Sequence, residues 1–419
     1  MSNQVLSGKH IAIAHPQSIA RDVRLEKTVR ILSAAGARIT IVCSKEQNKD
    51  VGVFAELADL IKVSCGPQLI KSSYNPNRFL RIAYNLFIAN PCQAMQNRLR
   101  KDDPLRGMAE VLAAHNFDAV HFINYNASLE ALRFQKISSV PTVYESYECW
   151  PMILSNFAQS EGLFSQKYSR WIGYEQKCVQ QAQAFIAVSA PIEEVYSEIA
   201  PQTFGVSIYN VAPSPPLKPS KLESKLRFYL QSFLRPHYGI ETALRAFSRV
   251  EGDYRVSIQG PSYVEGYLEK LKNLCVKLGI QDKVDFLEPC PYKDSVAEAN
   301  KHDIGFLFFP STYRGGLKNF NGKWSLPNKL FIYTSAGLGV VFSELQETTR
   351  GLLGGSKAAL FTKEDSEDSI VETFQILVDN PLIVAKMKDA AVQWAQNYTI
   401  ESEGQKLSKL YQKVFEQAA

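Results

Sequence analysis

Short apolar runs alternate with amphipathic stretches along most of the chain. The first half contains the runs HIAIAH, ARITIVC, DAVHFI, PTVYES and AFIAVS, separated by segments with helical spacing such as residues 20–35. The alternation begins again after residue 225 with LRFYLQ, YRVSIQG, KVDFLE and DIGFLFF. Strands that alternate with helices are typical of parallel, doubly wound sheets. The pattern therefore predicts two successive α/β domains with Rossmann-like sheets.

A proline-rich segment, YNVAPSPPLKPS, separates the two series of strands. Proline lacks a backbone N–H and holds the chain extended, as a semi-rigid connection between domains requires. We predict an N-terminal domain over residues 1–212 and a C-terminal domain over residues 213–400. The end of the chain has helical spacing and no strand pattern, and we expect residues 401–419 to pack back toward the N-terminal domain.

The composition of the chain indicates a globular protein and argues against several types of ligand and cross-link. The 419 residues are 45% hydrophobic and 21% charged, which is typical of a globular chain. A net charge of +5 without a dense Lys/Arg tract does not indicate nucleic-acid binding. The seven cysteines are scattered and form no C-x-x-C pair, so we predict neither disulfides nor a metal site. With no signal-peptide pattern and no apolar run long enough to cross a bilayer, we expect a cytoplasmic protein.

Two parallel sheets imply a ligand site between them. A parallel sheet binds its ligand at the carboxyl ends of its strands, so two such domains that face each other form a cleft. We expect a substrate made of two parts to bind there.

Several segments, in order, resemble the large retaining glycosyltransferase family with the GT-B fold, the group 1 or family 4 type. The segments are RDVRLEKTVRILSAAGARITIVC, YESYECW, YEQKCVQQAQAFIAVSAPIEEVY with YNVAP, then GIETALRAF through VDFLEPCPY with HDIGFLFFP, and SLPNKLFIYTSAGLGVVFS. Together they cover nearly the whole chain. The last segment is the most specific, because it resembles the Pro-Asn-Lys-Leu-Phe-Glu-Tyr helix that carries the donor nucleotide in that family.

The resemblance implies a GT-B fold and a retaining hexosyltransferase. Such an enzyme moves a sugar from a nucleotide diphospho-sugar to a glycan or lipid-linked acceptor of a surface polysaccharide, such as lipopolysaccharide or capsule. It implies the nucleotide sugar as co-substrate and no metal or other cofactor. The alternative is a non-catalytic protein of the same fold that binds a partner subunit or a glycan.

The predicted donor site lies in the C-terminal half. Pro327 can begin a helix whose first N–H groups attract phosphate, and Lys329 adds a positive charge there. The small residues at 335–337 permit close approach of a ligand, or they only let the helix and the next strand pack. The predicted donor-binding residues are Arg235, Gly260, Arg314, Pro327, Asn328, Lys329, Ser335, Ala336 and Gly337.

The chain departs from the family pattern at four donor positions. Ile332 stands where the family has a ribose-binding Glu, and Trp324 stands at a second position that is often acidic. Phe233 and Tyr238 replace the pair of cations that neutralises phosphate. Substitute charges are available from Arg235 and from the loop that contains Arg314, Lys318 and Lys323, although each could be an ordinary surface charge. Convergence of these charges on one cleft would favour catalysis, whereas aromatic residues that fill the cleft would favour binding alone.

On the acceptor side we predict His121 and Glu148 as catalytic residues. The resemblance also places Glu145, Tyr147, Arg21 and Asp22 on the acceptor side of the cleft. For His121 the alternative is a hydrogen-bonded core position at the end of a buried strand.

Residues 71–106 are locally cationic. Apolar residues recur there at helical spacing, which suits either a helix that faces the core or one that lies on anionic lipid. The second interpretation implies peripheral contact with the inner face of the membrane. The seven basic residues are Lys71, Arg78, Arg81, Arg98, Arg100, Lys101 and Arg106.

Overall fold

The computed structural model describes residues 4–20, 22–44, 50–63, 107–161, 166–236, 238–312 and 317–418. Within these ranges the chain forms two parallel sheets flanked by helices. The expected α/β class, with two doubly wound domains, is confirmed.

The first sheet has seven parallel strands in the order β3-β2-β1-β4-β5-β6-β7. Its central strands are buried on both faces, as a parallel sheet covered by helices requires. The strands are β1 (His10–His15), β2 (Arg38–Ser44), β3 (Asp59–Val63), β4 (Ala119–Ile123), β5 (Thr142–Ser146), β6 (Ala184–Ala187) and β7 (Phe204–Ser207).

The second sheet has six parallel strands in the order β10-β9-β8-β11-β12-β13. Phe228 of this sheet contacts the rings of Phe247 and Phe374, which stack on each other. The strands are β8 (Leu226–Gln231), β9 (Tyr254–Gln259), β10 (Val284–Leu287), β11 (Ile304–Leu307), β12 (Gly339–Ser343) and β13 (Ala359–Thr362).

Helices connect the strands in both domains. In the first domain they are α1 (Val23–Ala34), α2 (Phe54–Leu57), α3 (Met108–Ala113), α4 (Ser128–Ile137), α5 (Trp150–Glu161), α6 (Gln166–Gln181) and α7 (Ala190–Ile199). In the second part of the chain they are α8 (Ile240–Phe247), α9 (Tyr267–Lys277), α10 (Ser295–Ala299), α11 (Phe320–Trp324), α12 (Asn328–Ser335), α13 (Glu347–Leu353), α14 (Glu367–Asp379), α15 (Pro381–Ala395) and α16 (Ile400–Ala418).

The C-terminal helix α16 returns to the N-terminal domain and packs against α1. Leu407, Leu410, Tyr411 and Val414 enter the core on that face of the first sheet, and each is at most 1% exposed. Burial of each such side chain stabilises the packing by about 1.5–3 kcal/mol. The end of the chain is therefore packed on the first domain.

Within the described ranges no helix is both long enough and apolar enough to cross a membrane.

Candidate active-site cleft

The two domains meet along the carboxyl ends of their strands. Ser189 Oγ, which precedes α7, donates a hydrogen bond of 2.7 Å to the carbonyl of Trp324. Asn156 Nδ2 on α5 donates one of 2.8 Å to the carbonyl of Lys318. The segment before α12 thus bridges the cleft from the C-terminal domain to the N-terminal domain.

Asn124, directly after β4, has a positive φ of 63° with ψ of 165°. Non-glycine residues rarely adopt such a backbone, which costs of the order of 1–3 kcal/mol. Its side-chain Oδ1 accepts hydrogen bonds from the backbone N–H of Tyr147 at 2.9 Å and from Trp150 Nε1 at 3.2 Å. The strained Asn124 therefore fixes the loop after β5, which carries Tyr147 and Glu148.

A buried carboxyl group supports the same loop from below. Glu175 on α6 is fully buried and accepts hydrogen bonds from the hydroxyls of Tyr144 and Tyr196. Tyr196 contacts Ser146 Oγ at 2.8 Å, and Ser146 Oγ donates a 2.7 Å hydrogen bond to the carbonyl of Glu148. Burial raises the pKa of Glu175 to about 7, although the two tyrosine hydroxyls oppose the rise.

Arg24, in the first turn of α1, reaches the same loop. Its Nη1 donates a 2.7 Å hydrogen bond to the carbonyl of Tyr147, and its guanidinium lies over the Tyr147 ring, 5.0 Å from the centroid. Asp22 caps α1 by accepting hydrogen bonds from the N–H groups of Arg24 and Leu25. Arg24 is therefore held at the start of the helix, where its charge faces the second domain.

Lys329, at the second position of α12, is half-buried. Burial, followed by the charges of Arg235 and Arg24, lowers the pKa of Lys329 to about 8. The three positive charges therefore lie within electrostatic range of one another at the N-terminus of a helix. Arg235 also stacks over the ring of Tyr238 at 4.3 Å. The charges of Arg235 and Arg24 thus act on Lys329, whereas Lys323 of the predicted loop pairs with Glu347 at 3.1 Å. Convergence of the predicted charges on one cleft stays a prediction.

Glu148 is the carboxylate that faces these cations. Burial raises its pKa, whereas Arg24, the side chain of Asn321 and Arg235 lower it in part. Its Oε2 is buried and has no hydrogen-bond partner among the residues that the structure describes. The pKa remains above its usual value, which suits a group that exchanges a proton. The catalytic role of Glu148 stays a prediction.

Pro327 is the N-cap of α12 and Asn328 is its first residue, so the helix begins one residue later than predicted. The small residues 335–337 lie at the other end of this helix. The carbonyl of Ser335 accepts a 2.7 Å hydrogen bond from Leu217 N–H, and a Cβ on Gly337 would lie 2.9 Å from Pro219. These contacts with the interdomain segment favour the interpretation that the small residues serve packing. A donor-binding role for Ser335, Ala336 and Gly337 stays a prediction.

Gly260 follows β9 at the carboxyl edge of the second sheet. Its φ is 148°, and a Cβ there would lie 1.8 Å from the carbonyl oxygen of Ser232. A side chain is therefore excluded at this point, because the backbone of Ser232 after β8 packs directly against Gly260. A donor-binding role for Gly260 stays a prediction.

His121 lies in the core of the first domain and is 0% exposed. Its Nδ1 is 2.9 Å from the hydroxyl of Tyr411 on α16. Its Nε2 is 3.0 Å from Glu145 Oε2, within ion-pair range but without hydrogen-bond alignment. This placement favours the core interpretation of His121. Catalysis by His121 and acceptor contact by Glu145 stay predictions.

The other residues predicted for the acceptor side of the cleft do not all lie at the cleft. Tyr147 lies in the cleft loop beside Arg24. Asp22 is committed to the cap of α1 and to His15 Nε2 at 3.0 Å. Burial raises the pKa of Asp22, but the contacts with His15 and the helix N–H groups outweigh it, so the pKa lies below its usual value. Arg21 and the predicted donor residue Arg314 lie outside the described residues, as does the basic stretch 71–106.

The residues that depart from the family pattern differ in burial. Ile332 is 3% exposed and belongs to the core of the second domain. Trp324 packs against the core of the first domain. Phe233, in contrast, is 48% exposed and its ring contacts that of Tyr263 in a tilted arrangement. Of these residues, Trp324 is the one that connects the two domains.

Sequence reasoning gave no role to Arg24, Asn124 or Asn321. Arg24 stands in the Asp-x-Arg run that begins α1, so the motif itself was the available signal. Two features arise only when the chain folds, so no sequence pattern predicts them. They are the backbone strain at Asn124 and the approach of Asn321 to Glu148.

Among the described residues no group of three or more His, Cys, Asp or Glu side chains could hold a metal ion. The described cysteines Cys43, Cys149, Cys178, Cys275 and Cys290 are free thiols.

Solved structures with the same arrangement of domains are glycosyltransferases. Sucrose-phosphate synthase from Thermosynechococcus elongatus superposes with a TM-score of 0.67 at 14% identity, covering 98% of this chain and 100% of that one. HepE of Anabaena in complex with UDP and glucose superposes at 0.65 with 13% identity and coverage of 96% and 99%. The lipopolysaccharide outer core galactosyltransferase WaaB superposes at 0.58 with 15% identity and coverage of 98% and 100%.

No protein-family model matches the sequence, and no curated protein matches it significantly. The structural likeness nevertheless covers nearly the full length of each chain compared. The protein therefore has the GT-B fold.

Proposed function

We propose that the protein is a glycosyltransferase that uses a nucleotide diphospho-sugar as donor. The observation that carries this proposal is the position of Lys329 in the first turn of α12, in a fold shared with a solved structure in complex with UDP-glucose; the charges of Arg235 and Arg24 lower the pKa of Lys329. Positive charges repel one another in a half-buried cleft, and a bound polyanion would relieve that repulsion. The helix N-terminus adds partial positive charge at the same place. A diphosphate fits both features.

In the proposed reaction, the bond between sugar C1 and the β-phosphate oxygen breaks, and its electron pair goes to the phosphate. A new bond forms between C1 and an acceptor hydroxyl oxygen, whose proton leaves with the departing diphosphate. Negative charge grows on the diphosphate in the transition state, where fixed cations stabilise it most. Lys329 and Arg235 supply such charge from the donor domain.

We propose a hexose as the transferred sugar, retention of its configuration, and a glycan or lipid-linked acceptor in surface-polysaccharide biosynthesis. The sequence resemblance is to retaining enzymes of this kind. The known activity of WaaB in the lipopolysaccharide outer core and the UDP-glucose complex of HepE motivate the first donors and acceptors to test. The basic stretch 71–106 would hold a lipid-linked acceptor at an anionic membrane.

A second candidate is a non-catalytic protein of the same fold that binds a glycan or a partner subunit. The burial of Ile332 in the core removes the usual ribose-binding position from the cleft. Trp324 bridges to the first domain at the other altered position. Both features are compatible with a cleft that binds a glycan or a partner subunit and does not catalyse sugar transfer.

Calorimetric titration of the purified protein with UDP-glucose, GDP-mannose and a CDP-sugar tests the first proposal. We expect saturable binding of one of them, and sugar transfer or slow donor hydrolysis with that same donor. Absence of binding at millimolar ligand would contradict the transferase proposal. Binding without any release of sugar over long incubation would favour the second candidate.

A further inference from the structure

Arg24 belongs to the N-terminal domain, yet its charge acts on residues of the C-terminal domain. It lowers the pKa of Lys329 on α12 and opposes the burial-driven rise in the pKa of Tyr292, which follows β10. It also opposes the rise in the pKa of Glu148. Arg24 is thus the cation that the acceptor-side domain contributes to the cleft.

Three carboxyl groups lie near Arg24, namely Asp22, Glu26 and Glu148. Asp22 accepts hydrogen bonds in the helix cap and lies 3.0 Å from His15 Nε2, and Glu26 pairs with Arg30 at 2.8 Å. Burial raises the pKa of Glu148, although Arg24 opposes the rise. Among the described residues Arg24 forms no salt bridge, and only its Nη1 has a hydrogen-bond acceptor, the carbonyl of Tyr147. The remaining donors of the planar guanidinium are available to a ligand.

We propose that Arg24 binds the sugar-bearing β-phosphate of the donor across the cleft. This inference rests on the proposed function. A donor whose nucleotide lies on the C-terminal domain must present its sugar toward the acceptor domain, so the sugar-bearing phosphate lies between the domains. An arginine is suited to this position because its fork of N–H groups binds phosphate in a bidentate manner.

The proposal accounts for the two uncharged positions in the donor domain. Phe233 and Tyr238 stand where the sequence resemblance implies phosphate-binding cations. In this chain a compensating charge comes from α1 of the opposite domain, held in place by the Tyr147 carbonyl and ring. Binding of the diphosphate then requires residues of both domains, and the N-terminal domain contributes directly to departure of the leaving group.

The test compares nucleotides that differ by one phosphate. Wild-type protein, Arg24→Ala, Arg24→Lys and the control Arg30→Ala are titrated with UDP, GDP, CDP and UMP, and with pyrophosphate as a probe without a base. Arg30 lies on the same helix, is exposed and pairs with Glu26, so Arg30→Ala controls for the loss of a charge on α1 that does not bind the Tyr147 carbonyl. Circular dichroism and thermal unfolding establish that each variant is folded.

We expect Arg24→Ala to weaken binding of the preferred nucleoside diphosphate and of pyrophosphate about tenfold or more. Binding of the monophosphate is expected to stay at the wild-type level. Arg24→Lys should recover part of the affinity, because it keeps the charge but loses the bidentate geometry. Where transfer is measurable, kcat should fall by a larger factor than KM rises.

Equal affinities of Arg24→Ala and wild type for the diphosphate would overturn the inference while leaving the proposed function intact. An equal loss for the monophosphate and the diphosphate would also overturn it, because that result indicates a general role in folding the cleft loop. A wild-type protein that binds no nucleotide and no pyrophosphate overturns the proposed function, and this inference with it.

Discussion

His121 Nε2 and Glu145 Oε2 lie 3.0 Å apart in the interior of the first domain. The other ring nitrogen of His121 contacts the hydroxyl of Tyr411, which the C-terminal helix brings back across the chain. Lys27 lies near the same carboxylate and donates to the carbonyl of Tyr209 at 2.6 Å, next to the interdomain segment. These contacts join the C-terminal helix, the first sheet and the interdomain segment.

The first prediction concerns Tyr411. Tyr411→Phe removes the hydroxyl and leaves His121 Nδ1 without its partner, which should lower the free energy of unfolding by about 1–3 kcal/mol. Nucleotide affinity should not change, because Tyr411 lies in the core of the first domain and is not among the residues proposed to bind the donor. Denaturant unfolding and calorimetry measure the two quantities. A variant with normal stability but lost transfer activity would support the catalytic interpretation of His121 instead.

The second prediction concerns Lys329. Lys329→Ala removes a charge-assisted hydrogen bond to a diphosphate worth about 1.5–3 kcal/mol, so nucleotide affinity should fall roughly tenfold to a hundredfold. Because the folded pKa of Lys329 lies near 8, wild-type affinity should also decline as the pH rises above 8. Lys329→Arg should bind without that decline, since arginine stays charged. If Lys329→Ala binds the nucleotide as tightly as the wild type does, α12 is not part of the donor site.

Replacement of Lys329 by an uncharged residue should also change the stability of the protein. A lowered lysine pKa means that the folded state binds fewer protons than the unfolded state between pH 8 and 10.5, so wild-type stability should rise with pH in that interval. Lys329→Met should flatten this part of the curve and raise the unfolding temperature at pH 7. Thermal unfolding between pH 7 and 10 measures both effects, and a wild-type curve identical to that of the variant would contradict the buried charge.

The third prediction concerns Ile332. Ile332→Glu places a carboxyl group at a position that is 3% exposed in the core, so we expect destabilisation of several kcal/mol and no gain in nucleotide affinity. Ile332→Leu, which keeps the apolar contact, is the matched control and should cost less than about 1.5 kcal/mol. A folded Ile332→Glu protein with tighter nucleotide binding would show that the ribose reaches this position.

The fourth prediction concerns Glu175. Its folded pKa of about 7 lies above the ordinary value of 4.5, so the folded state holds a proton that the unfolded state has lost between these pH values. The free energy of unfolding should therefore fall as the pH rises from about 4.5 to 7, by an amount of the order of 1–3 kcal/mol. Glu175→Gln, which still accepts from the two tyrosines, should remove that component. A wild-type protein with no such slope would contradict burial of the acid.

The fifth prediction concerns the basic stretch, which lies outside the described residues. Replacement of Arg78, Arg81, Arg98 and Arg100 by Gln should weaken sedimentation with anionic vesicles, and the difference should disappear at high salt. Zwitterionic vesicles serve as the control surface. Unchanged sedimentation would favour the interpretation of this stretch as part of a core-facing helix.

The sequence by itself determined the two series of strands and helices, the proline-rich connection and the start of α12. These features follow from local periodicity and from the backbone limits of proline, which act within a few residues. The run Pro327, Asn328, Lys329 therefore indicated a helix N-terminus before any fold was known.

Only the tertiary structure decided which charges meet. Arg24 and Lys329 are far apart in the chain, and the charge of Arg24 lowers the pKa of Lys329 because folding brings the two domains together. The tertiary structure also placed His121 against Tyr411, since the last helix crosses back to the first domain. Such pairings depend on long-range packing, and no local pattern of residues encodes them.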